Sequence, residues 1–314
     1  MMDYATLPGI PARLSRLVYG SSGAIGRTPE EAYDQLELAY GYGFRVFDTA
    51  NSYAQGRSEE NIGLWLEKSG HRDEVVLFDK GFNPNQHYGA PVDLFAPETI
   101  HEQVALSLRR LRTDRIDLYV LHRDDPPHDP APIIEALNEE KARGHILRFG
   151  ASNWTVERLR QANAYAAAHR LEGFSVSGPC YSLADLARDP WGGSVTISGP
   201  RNRADRAWLR ENGMPVFPYS SLARGFMSGR WRTDSVVPIE EALPAGTRAE
   251  YDVPANRETL RRAELVAAEH GCAVSTVALA WLLARPLDIF PITSPGSEPH
   301  IRDAVAALSL RLTP

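Results

Sequence analysis

Short apolar runs alternate with longer amphipathic stretches from one end of the chain to the other. LVYG (17–20) precedes a segment opened by Thr28, Pro29, Glu30 and Glu31. A hydroxyl at the cap, proline in the first turn and early acids predict a helix start there. FRVFDTA (44–50) predicts a strand, followed by a helix from Ser58 with Ile62, Leu64, Trp65 and Leu66 as apolar contacts. VVLFDK (75–80) predicts a strand, and in 96–111 Ile100, Val104, Leu108 and Leu111 recur on one helical face. IDLYVLH (116–122), ILRFGAS (146–152), FSVSG (174–178), MPVFPYS (214–220) and DIFPIT (288–293) complete eight candidate strands, most of them separated by helical patterns.

Repeated strand-then-helix units imply a parallel sheet. Because no linker rich in Pro, Gly or Ser divides the 314 residues, one domain over 1–314 is expected. Its expected fold is an α/β closed (β/α)8 TIM barrel rather than a doubly wound sheet. The irregular tracts near 81–96, 184–204 and 226–256 hold most of the Gly, Pro and charged clusters. In a barrel, the loops that follow strands form the catalytic face.

Composition narrows the partners. At 43% hydrophobic and 24% charged residues the chain can bury a large core, which excludes disordered, collagen-like and small disulfide classes. A net charge of −6, with no basic stripe interleaved with aromatics, offers nothing to nucleic acid or an anionic membrane, so a small-molecule partner is expected. The longest apolar stretch, around 277–284, is too short to span a bilayer. Cys180 and Cys272 have no metal-ligand spacing and are too few for a disulfide framework. The N-terminal segment has no charged leader followed by an apolar run, so a cytoplasmic location is expected. Lysine is scarce: Lys68, Lys80 and Lys141 are the only three.

The candidate chemistry falls into register with the strands. Asp48, Lys80, His122, Ser152 with Asn153, and Tyr219 with Ser220 lie at or just past predicted strand ends, and Tyr53 follows Asp48 on the next loop. Taken singly, each has a simpler reading: a turn cap, a solvated strand end, a packed loop aromatic, a satisfied buried histidine. A barrel gathers them into one ring. There a lysine beside a tyrosine lowers a phenol pKa from about 10, an aspartate keeps the lysine charged, and a histidine orients a carbonyl oxygen. Such a set is a proton donor for a carbonyl.

FDTANSYAQGRSEENIGLWL (47–66), DKG (79–81), LHRDDP (121–126), GASNW (150–154) and YSSLARG (219–225) together resemble the aldo-keto reductase family, in the family's order and over nearly the whole chain. The resemblance implies an NAD(P)H-dependent reductase of an aldehyde, ketone or sugar, or the reverse dehydrogenase, on a (β/α)8 barrel. Hydride would pass from nicotinamide C4. Asp48, Tyr53, Lys80 and His122 match the catalytic tetrad, with Tyr53 as general acid/base.

By the same resemblance, Ser152 and Asn153 match the carboxamide-binding pair and Tyr219 the aromatic that stacks on the nicotinamide. Gly20, Ser21 and Ser22 match the strand end near the ribose. Ser220, Ser221, Leu222, Arg224 and Gly225 match the pyrophosphate loop. Ser294, Gly296, Ser297, His300, Asp303 and Ala304 match the adenosine-binding segment. Two departures stand out. Gly178 replaces a usual glutamine that contacts the carboxamide. The usual terminal asparagine is Ala304, and the lysine or arginine that commonly meets a 2′-phosphate is missing, which leaves NADP(H) and NAD(H) both open unless His300, Arg302 or Arg224 substitutes. Phe82, Tyr88, Arg123, Trp154 and Trp231 are expected to wall the substrate pocket around Tyr53 and His122, a lining suited to a sugar-like or aromatic carbonyl.

Three rival classes share single features with this sequence. GSSGAIG (20–26) is not the G-x-G-x-x-G fingerprint. Leu64, Val76 and Leu137 stand four residues before the lysines where a short-chain dehydrogenase needs tyrosine. A metal-dependent barrel hydrolase draws on His122, Asp124, Asp125 and His128, but there is no early His-x-His pair, and Lys80 would repel a divalent ion. A non-catalytic nicotinamide-binding regulatory barrel is the third, against which the complete tetrad argues.

Overall fold

The structure, a computed structural model, describes residues 1–24, 28–83 and 96–312. A short antiparallel pair, β1 (Tyr4–Ala5) and β2 (Leu14–Ser15), opens the chain. Seven parallel strands follow: β3 (Val18–Gly20), β4 (Val46–Asp48), β5 (Val76–Gly81), β6 (Ile116–Leu121), β7 (Ile146–Ser152), β8 (Ser177–Gly178) and β9 (Ile292–Thr293). Their order is β8-β7-β6-β5-β4-β3-β9, so the last strand lies beside the first of the seven. Val216 joins the two edges by bridging Ser177 on one side and Ile289 on the other. Ser177 N donates to Pro215 O at 3.0 Å and Phe217 N to Ser177 O at 2.8 Å; Val216 N donates to Asp288 O at 2.7 Å and Phe290 N to Val216 O at 2.8 Å. The sheet therefore closes as a (β/α)8 barrel.

Helices α1 (Pro29–Gly41), α2 (Arg57–Ser69), α3 (Pro97–Leu111), α4 (Ala131–Ala142), α5 (Val156–His169) and α6 (Arg203–Glu211) form most of the outer layer. The chain continues through α7 (Ile239–Ala242), α8 (Ala245–Tyr251), α9 (Pro254–His270), α10 (Val274–Leu283) and α11 (Glu298–Ala306). The predicted start of α1 is a full capping box: Glu31 N donates to Thr28 Oγ1 at 3.2 Å, and Thr28 N donates to Glu31 Oε2 at 2.9 Å. Among the described residues no single helix is long and apolar enough to cross a membrane; α9 and α10 reach that length only together, across a bend of 101°.

The core has two layers because strand side chains alternate between faces. Outward residues such as Phe47, Leu77, Tyr119 and Phe149 pack under the helices with Trp65, Ile100 and Val104. Inward residues Val46, Val76, Phe78, Leu118, Val120, Phe217 and Phe290 fill the barrel, joined by Leu7, Ile10 and Leu14 from the opening segment. Phe217 stacks on Phe290 at 4.7 Å and meets Phe78 at 5.0 Å. Two residues beyond Val46, Phe78 and Val120 the same inward face reaches Asp48, Lys80 and His122. The strand period thus delivers all three to the C-terminal rim, above an aromatic floor.

Three expectations change. The predicted strand 214–220 forms no strand and survives only as bridges at Val216 and Tyr219, while 174–178 and 288–293 shrink to two-residue strands. The β1–β2 pair is an element the sequence pattern did not announce.

Candidate active site

On the rim, the Lys80 ammonium is ion-paired with Asp48 Oδ1 and donates to Thr49 O at 2.7 Å. It sits 4.8 Å from the centroid of the Tyr53 ring, and the Tyr53 and His122 rings meet edge to face at 5.8 Å. Burial works against the Lys80 charge, but Asp48 and Tyr53 outweigh it and hold its pKa above the ordinary lysine value. The expected lowering of the Tyr53 phenol does not hold in net. Burial raises it, and the opposing pull of Lys80 recovers only part of the shift, so Tyr53 is a protonated phenol at neutral pH. Burial, then Lys80 and Arg123, push His122 well below the usual histidine pKa. Its imidazole is neutral, with Nδ1 shut away from solvent and without a hydrogen-bond partner.

Tyr53 stands on a tight turn. Ala54, Gln55 and Gly56 have φ of 51°, 61° and 90°, three successive left-handed residues. Only the glycine adopts that conformation without strain. Arg110 of α3 holds the turn: its Nη1 donates to Asn51 O at 3.3 Å and to Glu59 Oε2 at 2.9 Å. A Cβ on Gly56 would lie 2.2 Å from the Arg110 guanidinium carbon. Asn51 Nδ2 donates to Gln103 Oε1 at 2.8 Å, and Asn51 N donates to Lys80 O at 2.9 Å. Arg110, Glu59 and Gln103 were missed from sequence. The one available signal was the Glu59 and Glu60 pair opening α2, which also serves as an ordinary helix start.

The residues matched to a nicotinamide cofactor line the same rim. Ser152 Oγ donates to Gly178 O at 2.6 Å. Asn153, at φ 59°, donates from Nδ2 to His122 O at 3.0 Å, while its Oδ1 accepts from Tyr219 OH at 2.7 Å and Val195 N at 3.1 Å. Gly178 packs closely on β7, since a Cβ there would lie 3.1 Å from Ser152 Cβ and Oγ. Ser21 Oγ lies 2.6 Å from Ser58 Oγ, which lies 2.9 Å from Thr49 Oγ1, so Ser21 belongs to a buried hydroxyl chain; Ser22 is half-buried. Ser220, Ala223, Arg224 and Gly225 all have positive φ, with Leu222 between them, and Ser221 Oγ donates to Pro218 O at 3.0 Å. Arg224 is ion-paired with Glu250.

Closure of the barrel brings Ser294 to the first-strand end: a Cβ on Gly20 would meet Ser294 Oγ at 2.7 Å. Ser294, Gly296 and His300 are exposed; Asp303 accepts from Thr276 Oγ1 at its backbone oxygen, at 2.8 Å; Ala304 is buried in the core. A hydroxyl, an amide and an aromatic ring at one end, with serines and an arginine beyond them, fit a nicotinamide dinucleotide.

The residues expected to wall the pocket lie in different surroundings. Phe82 and Trp154 are 1% and 2% exposed and pack in the core, Trp154 against Phe174 at 4.9 Å. Trp231 packs with Ile239 and Leu243 in a separate apolar cluster. Tyr88 lies outside the described residues. Arg123 remains at the mouth beside Trp191, an aromatic not singled out from sequence. Asp124, one of the residues behind the metal-hydrolase reading, is gripped by Arg158 through both oxygens, at 2.9 and 3.0 Å. Among the described residues no three His, Cys, Asp or Glu side chains are grouped to hold a metal ion. A hollow of about 720 Å³, lined by Thr6, Arg148, Asn163, Trp208 and Asp288 among others, opens at the opposite end of the barrel and shares no residue with this rim.

A (β/α)8 barrel with this rim belongs to the class of oxidoreductases of carbonyl or alcohol substrates. The profile of the Aldo/keto reductase family matches residues 16–314, and the chain belongs to that family. It is 27% identical over 298 residues to aldo-keto reductase str7 of Strobilurus tenacellus, spanning 94% of this chain and 82% of that protein. It is 28% identical over 297 residues to aldo-keto reductase yakc [NADP(+)] of Schizosaccharomyces pombe, spanning 94% and 83%. Two solved structures share the fold. The thermostable aldo-keto reductase Tm1743 superposes with a TM-score of 0.74 at 23% identity, covering 99% of this chain and 96% of that one. The glycerol dehydrogenase AKR11B4 from Gluconobacter oxydans does so at 0.78 and 21%, covering 99% and 91%.

Proposed function

We propose that this protein reduces an aldehyde or ketone with NAD(P)H, or oxidises the matching alcohol in reverse, with Tyr53 as the general acid/base. The observation that carries this reading is the Lys80 ammonium, paired with Asp48 and seated 4.8 Å from the Tyr53 ring centroid. The bound cofactor supplies or accepts the hydride. Ser152, Asn153, Gly178 and Tyr219 would hold its nicotinamide end, Gly20, Ser21, Ser22 and the turn 220–225 its ribose and pyrophosphate, and Ser294, Gly296, His300 and Asp303 its adenosine, with Ala304 packed beneath them in the core. The Schizosaccharomyces pombe relative, named for NADP(+), favours NADP(H).

The rim supplies the proton. Burial keeps Tyr53 protonated and ready to donate to a carbonyl oxygen, while Lys80 stabilises the phenolate left behind. Asp48 keeps Lys80 charged in a buried place where an isolated ammonium would lose its proton. Neutral His122 can hold the carbonyl oxygen by a hydrogen bond without adding charge. With NADPH and a panel of aldehydes, Tyr53→Phe should lose on the order of 10²–10⁴ in kcat, the usual share of a general acid, with cofactor affinity little altered. Wild-type kcat in the variant would remove Tyr53 from the role.

A further inference from the structure

We infer that Arg123 is a docking point for a carboxylate carried by the carbonyl substrate, so that the preferred substrates are oxo-acids. This rests on the reductase reading and names its substrate class.

Among the described residues two arginines are less than a tenth exposed, Arg123 at 7% and Arg158 at 9%. Arg158 grips Asp124 through both carboxylate oxygens. Arg123 has no comparable partner. Its Nε is buried without a hydrogen bond, and its Nη1 makes one long contact, 3.4 Å to Ser194 Oγ. Asp189, in the same loop as Ser194, is committed to the backbone: Trp191 N donates to it at 3.1 Å and Ser194 N at 3.0 Å. Asp189 is close enough for the Arg123 charge to help keep it ionised, but among the described residues no carboxylate touches the guanidinium. A buried guanidinium without a contacting partner is costly, and a fold that retains one has a use for it.

The charge faces the chemistry. Arg123 follows His122 directly at the end of β6, and its field acts on Tyr53, His122 and Tyr219 together. The ring of Trp191 lies 5.7 Å from its guanidinium carbon and 4.9 Å from that of Arg224. Arg224 is ion-paired with Glu250, whereas Arg123 has no ion-pair contact among the described residues. One charge with an unpaired Nε edge matches the two oxygens of a carboxylate better than a dianionic phosphate. Trp191, 43% exposed, supplies an apolar face for the carbon skeleton between the acid and the carbonyl.

The test compares para-carboxybenzaldehyde with its neutral methyl ester. Wild-type protein should favour the acid in kcat/KM. Arg123→Gln should cut that acid-to-ester ratio by about 10- to 100-fold, the worth of a hydrogen bond to a charged group, mainly through KM. Arg123→Lys should restore part of it. A binding arm needs no turnover: benzoate should raise the wild-type melting temperature but not that of Arg123→Gln, which without ligand should melt no lower than wild type. An unchanged ratio, or equal protection of both proteins by benzoate, overturns the proposal. If benzoate protects only the wild type while neither aldehyde is reduced, the anion site stands and the reductase reading fails instead.

Discussion

At the scale of single residues, burial decides what the rim can do. His122 is the clearest case, since apolar surroundings and the charges of Lys80 and Arg123 all disfavour its cation. In the unfolded chain the same imidazole titrates near pH 6.5. A depressed folded pKa means that the native state declines a proton that the unfolded state accepts. Stability is therefore whole above about pH 6.5 and drains away as pH falls towards the folded value. Between pH 7 and pH 5, calorimetry should find a smaller drop in melting temperature for His122→Gln than for wild type; equal drops would mean that the imidazole titrates normally. The same physics explains what sequence reading could and could not reach here. The identities and rim positions of Asp48, Lys80 and His122 follow from strand periodicity. The upward net shift of Tyr53 does not, because desolvation depends on what the folded chain packs around the phenol. Nor did sequence announce Arg110, whose grip on Asn51 and Glu59 spans 59 and 51 residues.

At the scale of elements, β3 to β7 are legible to within about two residues, because β-branched and aromatic residues run continuously where both faces are buried. The later strands are not, and proline is the physical reason. Pro179, Pro215, Pro218 and Pro291 fall within or against the predicted runs, and a residue without an N–H cannot continue a ladder. Their carbonyls still serve it: Ile292 N donates to Pro218 O and Val18 N to Pro291 O, both at 3.0 Å.

Element packing also creates a feature with a measurable consequence. Asp79 points outward from β5, beside Tyr119 of β6, and faces Glu59 of α2 and Ser107 of α3, with Lys80 next to it in the chain. Glu59 Oε1, Tyr119 OH and Gln103 Nε2 are buried without a hydrogen bond, and the Ser107 hydroxyl is a donor that eases the Asp79 carboxylate. Burial and then Glu59 drive the Asp79 pKa well above that of an ordinary aspartate. A raised carboxyl pKa contributes stability below the unfolded value, near pH 4, that is lost as pH rises towards the folded one. Asp79→Asn removes that loss and offers Glu59 an amide donor. Its melting temperature should exceed that of wild type by a margin that widens from pH 4.5 to pH 8; a lower value at pH 8 would show that the ionised pair is stabilising.

At the scale of the whole molecule, closure of the barrel makes the two ends of the chain one site. β9 pairs with β3, so the segment after residue 293 meets the rim beside Gly20. A dinucleotide spanning from Asn153 to α11 would tie together segments from the beginning, middle and end of the sequence, and ligand binding would be felt as stability of the whole barrel. Which dinucleotide binds tighter depends on the positive charge at the adenosine end. The lysines are all engaged elsewhere: Lys80 with Asp48, Lys141 with Glu172, and Lys68 over the Tyr33 ring at 4.1 Å. Among the described residues of that end His300 and Arg302 are exposed on α11, and a guanidinium has the fork geometry that suits a 2′-phosphate. At equal concentrations NADPH should therefore raise the melting temperature more than NADH, by a few degrees once the ligand is about 100 times its Kd. Arg302→Ala should bring the NADPH shift down to that of NADH. Equal shifts in the wild type would mean that the adenosine end does not read the phosphate; a difference that survives the substitution would move the reading charge to another residue.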